Sequence, residues 1–395
     1  VKRLQGFMLK VSKNRKVPAY YLQLDIRSFF MNIDRKILFG LVENKVHKKD
    51  VYHRDCLLYL LHRIVFHDCC QDFVLKGNRE DLEKIPAHKS LLKSPPGKSL
   101  PIGNLTSQFL ANVYLNELDQ FVKHVLKCRF YIRYVDDFVL LSQSPNQLQE
   151  WRKQILEFLQ DNLALTLKPD KGPRRISEGV NFLGYITRPD YILSRNRVVN
   201  NLKAKLYEYK AVLLETVRIK GNPFTKILMD PQVITHLQQT LSSYLGHFKH
   251  SNSANLISSI FAKNSWLYEF FYLIDCGIKY KFRPKFEFRG LFSQVSFYQH
   301  RLNPCLVMFK MGKYFELFGR DAVCASNILG LRYLDPRKRL APRIGFPVWL
   351  KGNMLEKLLA AQMEVAVVKE GTSRAYVKHR YVNMIYRKNI IAEEL

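Results

Sequence analysis

From Ala19 to Ile26 apolar and polar positions alternate, so that Leu22, Leu24 and Ile26 share one face while Tyr21, Gln23 and Asp25 share the other. This period of two predicts a strand that delivers Asp25 at its end. A Pro-Ile-Gly-Asn turn at 101–104 precedes Leu110, Val113, Leu118, Phe121 and Val122, whose helical spacing predicts a helix from Ser107 onward. Phe130–Val135 and Phe138–Leu141 read as short apolar strands with Asp136 and Asp137 between them, a tight hairpin with carboxylates at its tip. Ser144-Pro-Asn-Gln147 then supplies an N-cap, a proline at the first helical position and a capping-box Gln, ahead of the stripe Leu148, Trp151, Ile155, Phe158, Leu159. Val180–Ile186 is a short apolar run broken at Gly184, and 196–275 reads as mostly helical and basic. The Lys, Arg and Phe-rich stretch 276–293 reads as a linker, with a new domain from about Gln294. Within that domain Asn353–Gln362 is expected to be helical, and Val365–Val368 and Val377–Ile385 to be strands.

Composition narrows the function. The 395 residues are 47% hydrophobic and 13% aromatic, which excludes a largely disordered or fibrous chain. Against 34 acidic side chains stand 63 Lys and Arg, a formal charge of +29 whose self-repulsion a polyanion would relieve, and nucleic acid is the polyanion expected. Residues 281–395 hold 21 Lys and Arg against 9 Asp and Glu, net +12, leaving +17 for residues 1–280. The positive charge is therefore spread along the chain and not confined to a tail. Seven Cys at 56, 69, 70, 128, 276, 305 and 324, without a CxxC pair, suggest neither a disulfide framework nor a zinc knuckle. With no run apolar enough to span a bilayer and no signal pattern, a cytoplasmic protein without a membrane partner is expected.

Asp25, Asp136 and Asp137 each end or adjoin an apolar strand, where an unpaired carboxylate is expensive. Magnesium takes oxygen ligands from carboxylates and substrate phosphates, and a pair of such ions can activate an attacking 3'-hydroxyl and stabilise leaving pyrophosphate. A polar Asp-rich turn would use the same two residues at 136 and 137, so the hairpin by itself leaves both readings open.

Over roughly residues 1–275 the sequence resembles the reverse transcriptases. Asp25-Ile-Arg-Ser-Phe-Phe30 is similar to their first catalytic motif, and Tyr134-Val135-Asp136-Asp137 to their signature hairpin. Pro101-Ile-Gly-Asn-Leu-Thr-Ser-Gln108 followed by Ala111-Asn-Val-Tyr-Leu resembles the loop and helix that contact template and nucleotide. Lys171 lies in a segment similar to the motif that places a lysine by the leaving pyrophosphate, with Lys168 as a competitor; Val180–Tyr185 is similar to the primer grip. The resemblance implies a right-hand polymerase of the α+β class: a palm with partial fingers over 1–195, a helical thumb over 196–275, the linker 276–293, and a further domain over 294–395. It implies two Mg2+ held by Asp25, the Ile26 carbonyl, Asp136 and Asp137, with Lys171 as general acid. Phe30 takes the steric-gate position, and Ile102, Gly103, Ser107, Gln108 and Tyr134 the template and nucleotide contacts. Only 24 residues precede Asp25, where the family carries a longer basic stretch, so the fingers are expected to be truncated or partly absent.

Ile102-Gly103 stands where most of the family has Gln-Gly, and Ser107-Gln108 where Ser-Pro is frequent. Together with His88-Lys-Ser90 and Phe29-Phe-Met-Asn-Ile-Asp34, this form resembles the subfamily of diversity-generating retroelements. That likeness implies error-prone, adenine-mutagenic copying in mutagenic retrohoming. The implied partners are a retroelement template RNA, the RNA/DNA hybrid, dNTPs and a small helical accessory variability protein. An aliphatic side chain in place of Gln removes hydrogen-bonding capacity near the template, and sites lacking such contacts discriminate less well. A group II intron, retron or phage-defence enzyme, or a catalytically inactive nucleic-acid-binding scaffold, are the alternatives.

Phe309-Lys-Met-Gly-Lys-Tyr-Phe-Glu-Leu-Phe-Gly-Arg-Asp-Ala322 resembles the mismatch-recognition domain of the MutS repair proteins, as do Gly345-Phe-Pro347 and the elements that follow. The domain is therefore expected to be small and mixed α/β. In that family a Phe-x-Glu element stacks on and hydrogen-bonds a mispaired base; Tyr314 and Glu316 take those positions here. No GxxxxGK[ST] motif accompanies them, so complete mismatch-repair function is not expected.

Overall fold

The alternation at 19–26 produces strand β1 (Tyr20–Asp25), and its neighbours come from the acidic hairpin: β2 (Tyr131–Tyr134) and β3 (Asp137–Ser142). With β4 (Arg174–Arg175) they form an antiparallel sheet in the order β2-β3-β1-β4. The chain is described by a computed structural model over residues 1–48, 52–71, 73–86, 89–275, 277–284, 287–334, 342–371 and 378–388. It is mixed α/β and divides into two compact units, Val1–Leu193 and Ser194–Leu395.

In the first unit both faces of the sheet are covered. Leu22, Leu24, Phe138 and Leu140 face a core shared with the helices Leu105–Gln120 and Pro145–Leu163. Tyr21, Val139 and Leu141 face the opposite way, onto Leu4 and Met8 of the helix Lys2–Val11 and onto Val180 and Phe182. Tyr21, read from the sequence as lying on the polar face, is thus buried. Fully burying a side chain of Leu or Phe size contributes about 1.5–3 kcal/mol, enough for two such layers to hold a four-stranded sheet.

The helix Pro145–Leu163 starts as its sequence predicts, with Pro145 in its first turn and the Ser144 side chain accepting from the Gln147 amide. Gln147, however, accepts from the Ser142 hydroxyl (2.7 Å). The helix expected from Ser107 begins two residues earlier, at Leu105. Short strands β5 (Val180–Phe182), β6 (Tyr185–Thr187) and β7 (Ile192–Ser194) make a separate three-stranded sheet.

The second unit departs from the expectation of a mostly helical 196–275. Between the helices Asn196–Leu213 and Pro231–Phe248 stands a hairpin of β8 (Leu214–Ile219) and β9 (Asn222–Leu228). Its two-residue turn has both Lys220 (φ 46°) and Gly221 (φ 82°) left-handed, the geometry that matches strand twist. A hairpin of β10 (Phe271–Ile274) and β11 (Gly277–Tyr280) follows. The stretch read as a linker at 276–293 therefore holds β11, the buried Phe282 and the start of the helix Leu291–Leu302; Cys276, Lys285 and Phe286 lie outside the described residues.

Beyond it come β12 (Leu306–Met311), β13 (Tyr314–Phe318), β14 (Arg343–Pro347), β15 (Val365–Glu370) and β16 (Arg380–Lys388). Part of the expected strand at 377–385 is outside the described residues; β16 is seen from Arg380. These five strands do not stand alone. One seven-stranded sheet runs β14-β13-β12-β15-β16-β9-β8, with β16 antiparallel to β9. One face packs Ile227, Val307, Phe309, Val368 and Ile385 against helices of the 196–263 region. The other packs Phe224, Met308, Val365 and Val367 under the helices Gly319–Leu329 and Lys351–Ala360. No break in packing therefore marks residue 294, because hairpin β8–β9 joins the sheet that follows it in sequence, with β8 at its edge and Leu214, Phe224 and Ile227 in its two cores.

Candidate functional site

Antiparallel register sets Asp25 of β1 directly opposite Asp137 of β3. Residues so paired project to the same side of a sheet, and Gln23, two positions before Asp25, shares that side. Its amide donates to both oxygens of Asp137 (3.0 and 3.2 Å) and to the Asn181 carbonyl of β5 (2.9 Å). Gln23 was a missed site residue, although the period of two already placed it beside Asp25.

The hairpin that carries Asp136 has a two-residue turn, since Tyr134 pairs with Asp137. Val135 in that turn sits at φ 56°, a region costing a β-branched residue about 1–3 kcal/mol. The surroundings hold it there. Arg133 donates to the Val135 carbonyl (2.9 Å) and grips Asp119 of the helix Leu105–Gln120 with two nitrogens (2.6 and 2.8 Å), while the Tyr131 hydroxyl donates to the same Asp119 (2.8 Å). The Asp136 carbonyl in turn accepts from the Ile26 amide (3.3 Å), tying the turn to the end of β1.

A third segment closes the site. Ile26 bridges Leu167, and the Lys168 amide donates to the Asp25 carbonyl (2.8 Å). The Lys168 ammonium donates to Asp25 Oδ2 at 2.7 Å. Lys171, the sequence choice for a general acid, is exposed and makes no hydrogen bond or ion pair among the described residues. The structure thus brings Lys168 and not Lys171 onto Asp25.

Burial dominates the electrostatics of the cluster. Burial pushes Asp137 up to about 6, with Asp25 and Asp136 adding and the Gln23 hydrogen bond and Lys168 opposing. Asp136 is raised too, first by burial and then by Asp25. Asp25 Oδ1 is buried without a hydrogen-bond partner. Among the described residues no group of three His, Cys, Asp or Glu side chains is placed to hold a metal ion as it stands. The donor chemistry nevertheless fits a hard cation: all the groups are oxygens, one is orphaned, and two carboxyls are held above their ordinary range, chiefly by burial.

The remaining expected residues scatter. Phe30 packs edge-on against Phe29 (5.4 Å) beside the core, and its carbonyl accepts from Leu100 (2.8 Å). Ile102 is 68% exposed and Gly103 adopts φ 104° with open space around it, while Gln108 is exposed. Ser107 turns inward, 3% exposed, into a pocket also lined by Arg35, His67 and Ser99. Phe109 (64%) and Tyr134 (59%) are exposed aromatics, Phe109 having been overlooked in the sequence because it lies off the helix's apolar stripe. In the second unit Tyr314 is half exposed at the end of β13, whereas Glu316 is largely buried and pairs with Arg343 (3.4 Å).

Residues 2–187 match the family model described as reverse transcriptase (RNA-dependent DNA polymerase), and residues 289–394 match that described as MutS domain I. The first match spans all three aspartates. In its C-terminal region the chain is 32% identical over 90 residues to the DNA mismatch repair protein MutS of Bartonella henselae, covering 22% of this chain and 10% of that protein. It is 27% identical over 106 residues to the MutS of Thermodesulfovibrio yellowstonii, covering 25% and 12%. The chain thus spans about a tenth of the length of these curated relatives. Among solved structures, apo telomerase from Candida tropicalis aligns at 12% identity over 62% of this chain and 39% of that one, with a TM-score of 0.38, too slight a likeness to carry an argument.

Proposed function

We propose that this chain is an RNA-directed DNA polymerase that copies a retroelement template RNA into cDNA, with copying relaxed at template adenines as in diversity-generating retroelements. One observation carries the catalytic part: a buried, partnerless Asp25 oxygen lies at the end of β1, across the register from Asp137 and tied by backbone to Asp136. Asp25, Asp136 and Asp137, with the Ile26 carbonyl, are the groups that would hold Mg2+. When bound, that ion supplies charge neutralisation at the reacting phosphate and lowers the pKa of a hydroxyl attached to it.

The chain's own residues do the positioning. Gln23 fixes the Asp137 carboxylate and connects it to Asn181 in the segment resembling a primer grip. The Arg133–Asp119 clamp holds the hairpin tip. Lys168 pairs with Asp25 and is better placed than Lys171 for a phosphate contact or as proton donor. Exposed Ile102 offers template and incoming nucleotide an aliphatic surface with no donor or acceptor, which supports the mutagenic reading. Phe30 as steric gate, Gly103, Gln108 and Tyr134 as template contacts, and Tyr314 as a stacking surface complete it. Ser107 would act through packing. Template RNA, the RNA/DNA hybrid, dNTPs and a small accessory protein are the proposed partners.

Extension of an annealed DNA primer on RNA, by the parent and by Asp136→Asn, tests the reading. The parent extends and the variant falls by at least a hundredfold; equal extension by the two removes the catalytic claim. Sequencing the products shows substitutions concentrated at template adenines, and an even error spectrum removes the retroelement assignment.

A further inference from the structure

At the other end of β1 from Asp25, roughly 20 Å away for six residues at about 3.3 Å each, the first unit has a pocket of about 490 Å³. Four cationic side chains line it, Arg15, Lys16, Arg175 and Arg188, against one acid, Asp190. The two arginines on the loops have structural duties. Arg15 pairs with Asp190, and Arg188 donates to the Tyr191 hydroxyl while its guanidinium lies 5.4 Å from the centre of that ring. Lys16 and Arg175 are different: both are exposed, and neither has an ion pair among the described residues.

The pocket's rim is built with care. Lys13, Asn14 and Arg15 are successively left-handed (φ 48°, 55° and 70°), a run that non-glycine residues rarely adopt. The hydrogen bonds that hold it include Asn14 amide to Leu9 carbonyl (2.7 Å), Arg15 amide to Ser12 hydroxyl (3.0 Å), and Val17 amide to Ser12 carbonyl (3.1 Å). Strain of this kind persists where neighbouring structure enforces a particular presentation, here the delivery of Arg15 and Lys16 to one wall. Apolar and aromatic surface from Pro18, Ile176, Pro189 and Tyr191 makes up the rest. Unpaired cations beside a flat apolar wall suit a phosphate joined to a planar base, and the volume lies in the range that takes one small ligand and not a duplex.

We infer that this pocket is a second nucleic-acid site, which holds one nucleotide of a single strand with its phosphates on Lys16 and Arg175. Choosing a strand over a free nucleotide rests on the polymerase reading above. The pocket lies at the far end of the sheet from the aspartates, so it serves to tether RNA outside the copied duplex.

The test uses the full chain and a labelled twelve-nucleotide single-stranded RNA, titrated at several salt concentrations. Lys16→Ala/Arg175→Ala is expected to bind at least tenfold more weakly at moderate salt. The slope of log affinity against log salt falls by about 1.4, for two single-strand phosphate contacts at about 0.7 each. A control with equal charge loss elsewhere in the unit, Lys123→Ala/Lys153→Ala, keeps the parental slope, and Lys16→Arg/Arg175→Lys keeps it also. A pocket variant with parental slope, or a control that loses as much, overturns the proposal. Displacement of the RNA by free AMP at equal nucleotide concentration would assign the pocket to a mononucleotide and overturn the strand. Extension of a pre-annealed primer by the pocket variant stays at the parental rate. If the parent extends no primer, the polymerase reading fails while the pocket's binding result stands by itself.

Discussion

Asp137 is held at about 6 chiefly because its charged form is desolvated, and this has a consequence for stability that can be signed. An acid whose folded pKa lies above its unfolded value binds protons more tightly when folded. Stability is therefore highest below the unfolded value near 3.9, declines as pH rises to about 6, and remains reduced above it. With divalent ions chelated, Asp137→Asn keeps an oxygen for Gln23 and should unfold at higher temperature than the parent at pH 8; the difference disappears by pH 4. A parent as stable as the variant at pH 8 would contradict this origin of the shift. Ile102, exposed and without polar atoms, governs copying in the proposed mechanism. Ile102→Gln should raise fidelity at template adenines by several-fold without abolishing extension, read by sequencing cDNA from matched templates. The three aspartates were singled out by the resemblance, because strand-end carboxylates alone left a polar turn equally open; the structure sets Asp25 opposite Asp137 and ties the Asp136 carbonyl to the Ile26 amide. Lys168 and Lys171 could not be told apart by chemistry. The Ile26–Leu167 bridge decides between them by fixing which residue follows β1's end.

At the scale of elements, the β2–β3 hairpin was visible as two apolar runs around two acids, but what keeps its strained turn in place was not. Asp119 is fourteen residues from Arg133 in sequence, on the helix Leu105–Gln120, and no local pattern links them. The pair is mostly buried, with side chains 10% and 18% exposed, so removing one partner leaves an uncompensated charge. Asp119→Ala should therefore destabilise the first unit by about 3 kcal/mol in urea unfolding, and should reduce primer extension beyond what the lost stability explains, since Arg133 also holds the Val135 carbonyl. Replacing both residues by Leu should cost less than Asp119→Ala alone.

For the whole molecule, the joining of β9 to β16 makes the 196–275 region and the MutS-like region a single folding unit. A chain ended at residue 288 would take Val295, Leu302, Val307, Phe309, Val368 and Ile385 out of the core they share with Ile227, Leu245 and Phe261. It would also leave β9 as an open edge, a template for aggregation. Limited proteolysis of that truncated chain should degrade residues 194–288 at least tenfold faster than in the full chain while 1–193 survives as a fragment. Equal protection of both parts would show that the helices fold without the sheet. Sequence alone determined the strand-end position of the aspartates, the basic character of both halves, and the start of the capped helix at Pro145, because these follow from local periodicity and composition. Tertiary structure decided the lysine that meets Asp25, the clamp behind Val135, the inward turn of Ser107 and the merging of two expected domains into one sheet. Each of these depends on register and on contacts between residues distant along the chain, which carry no local signature.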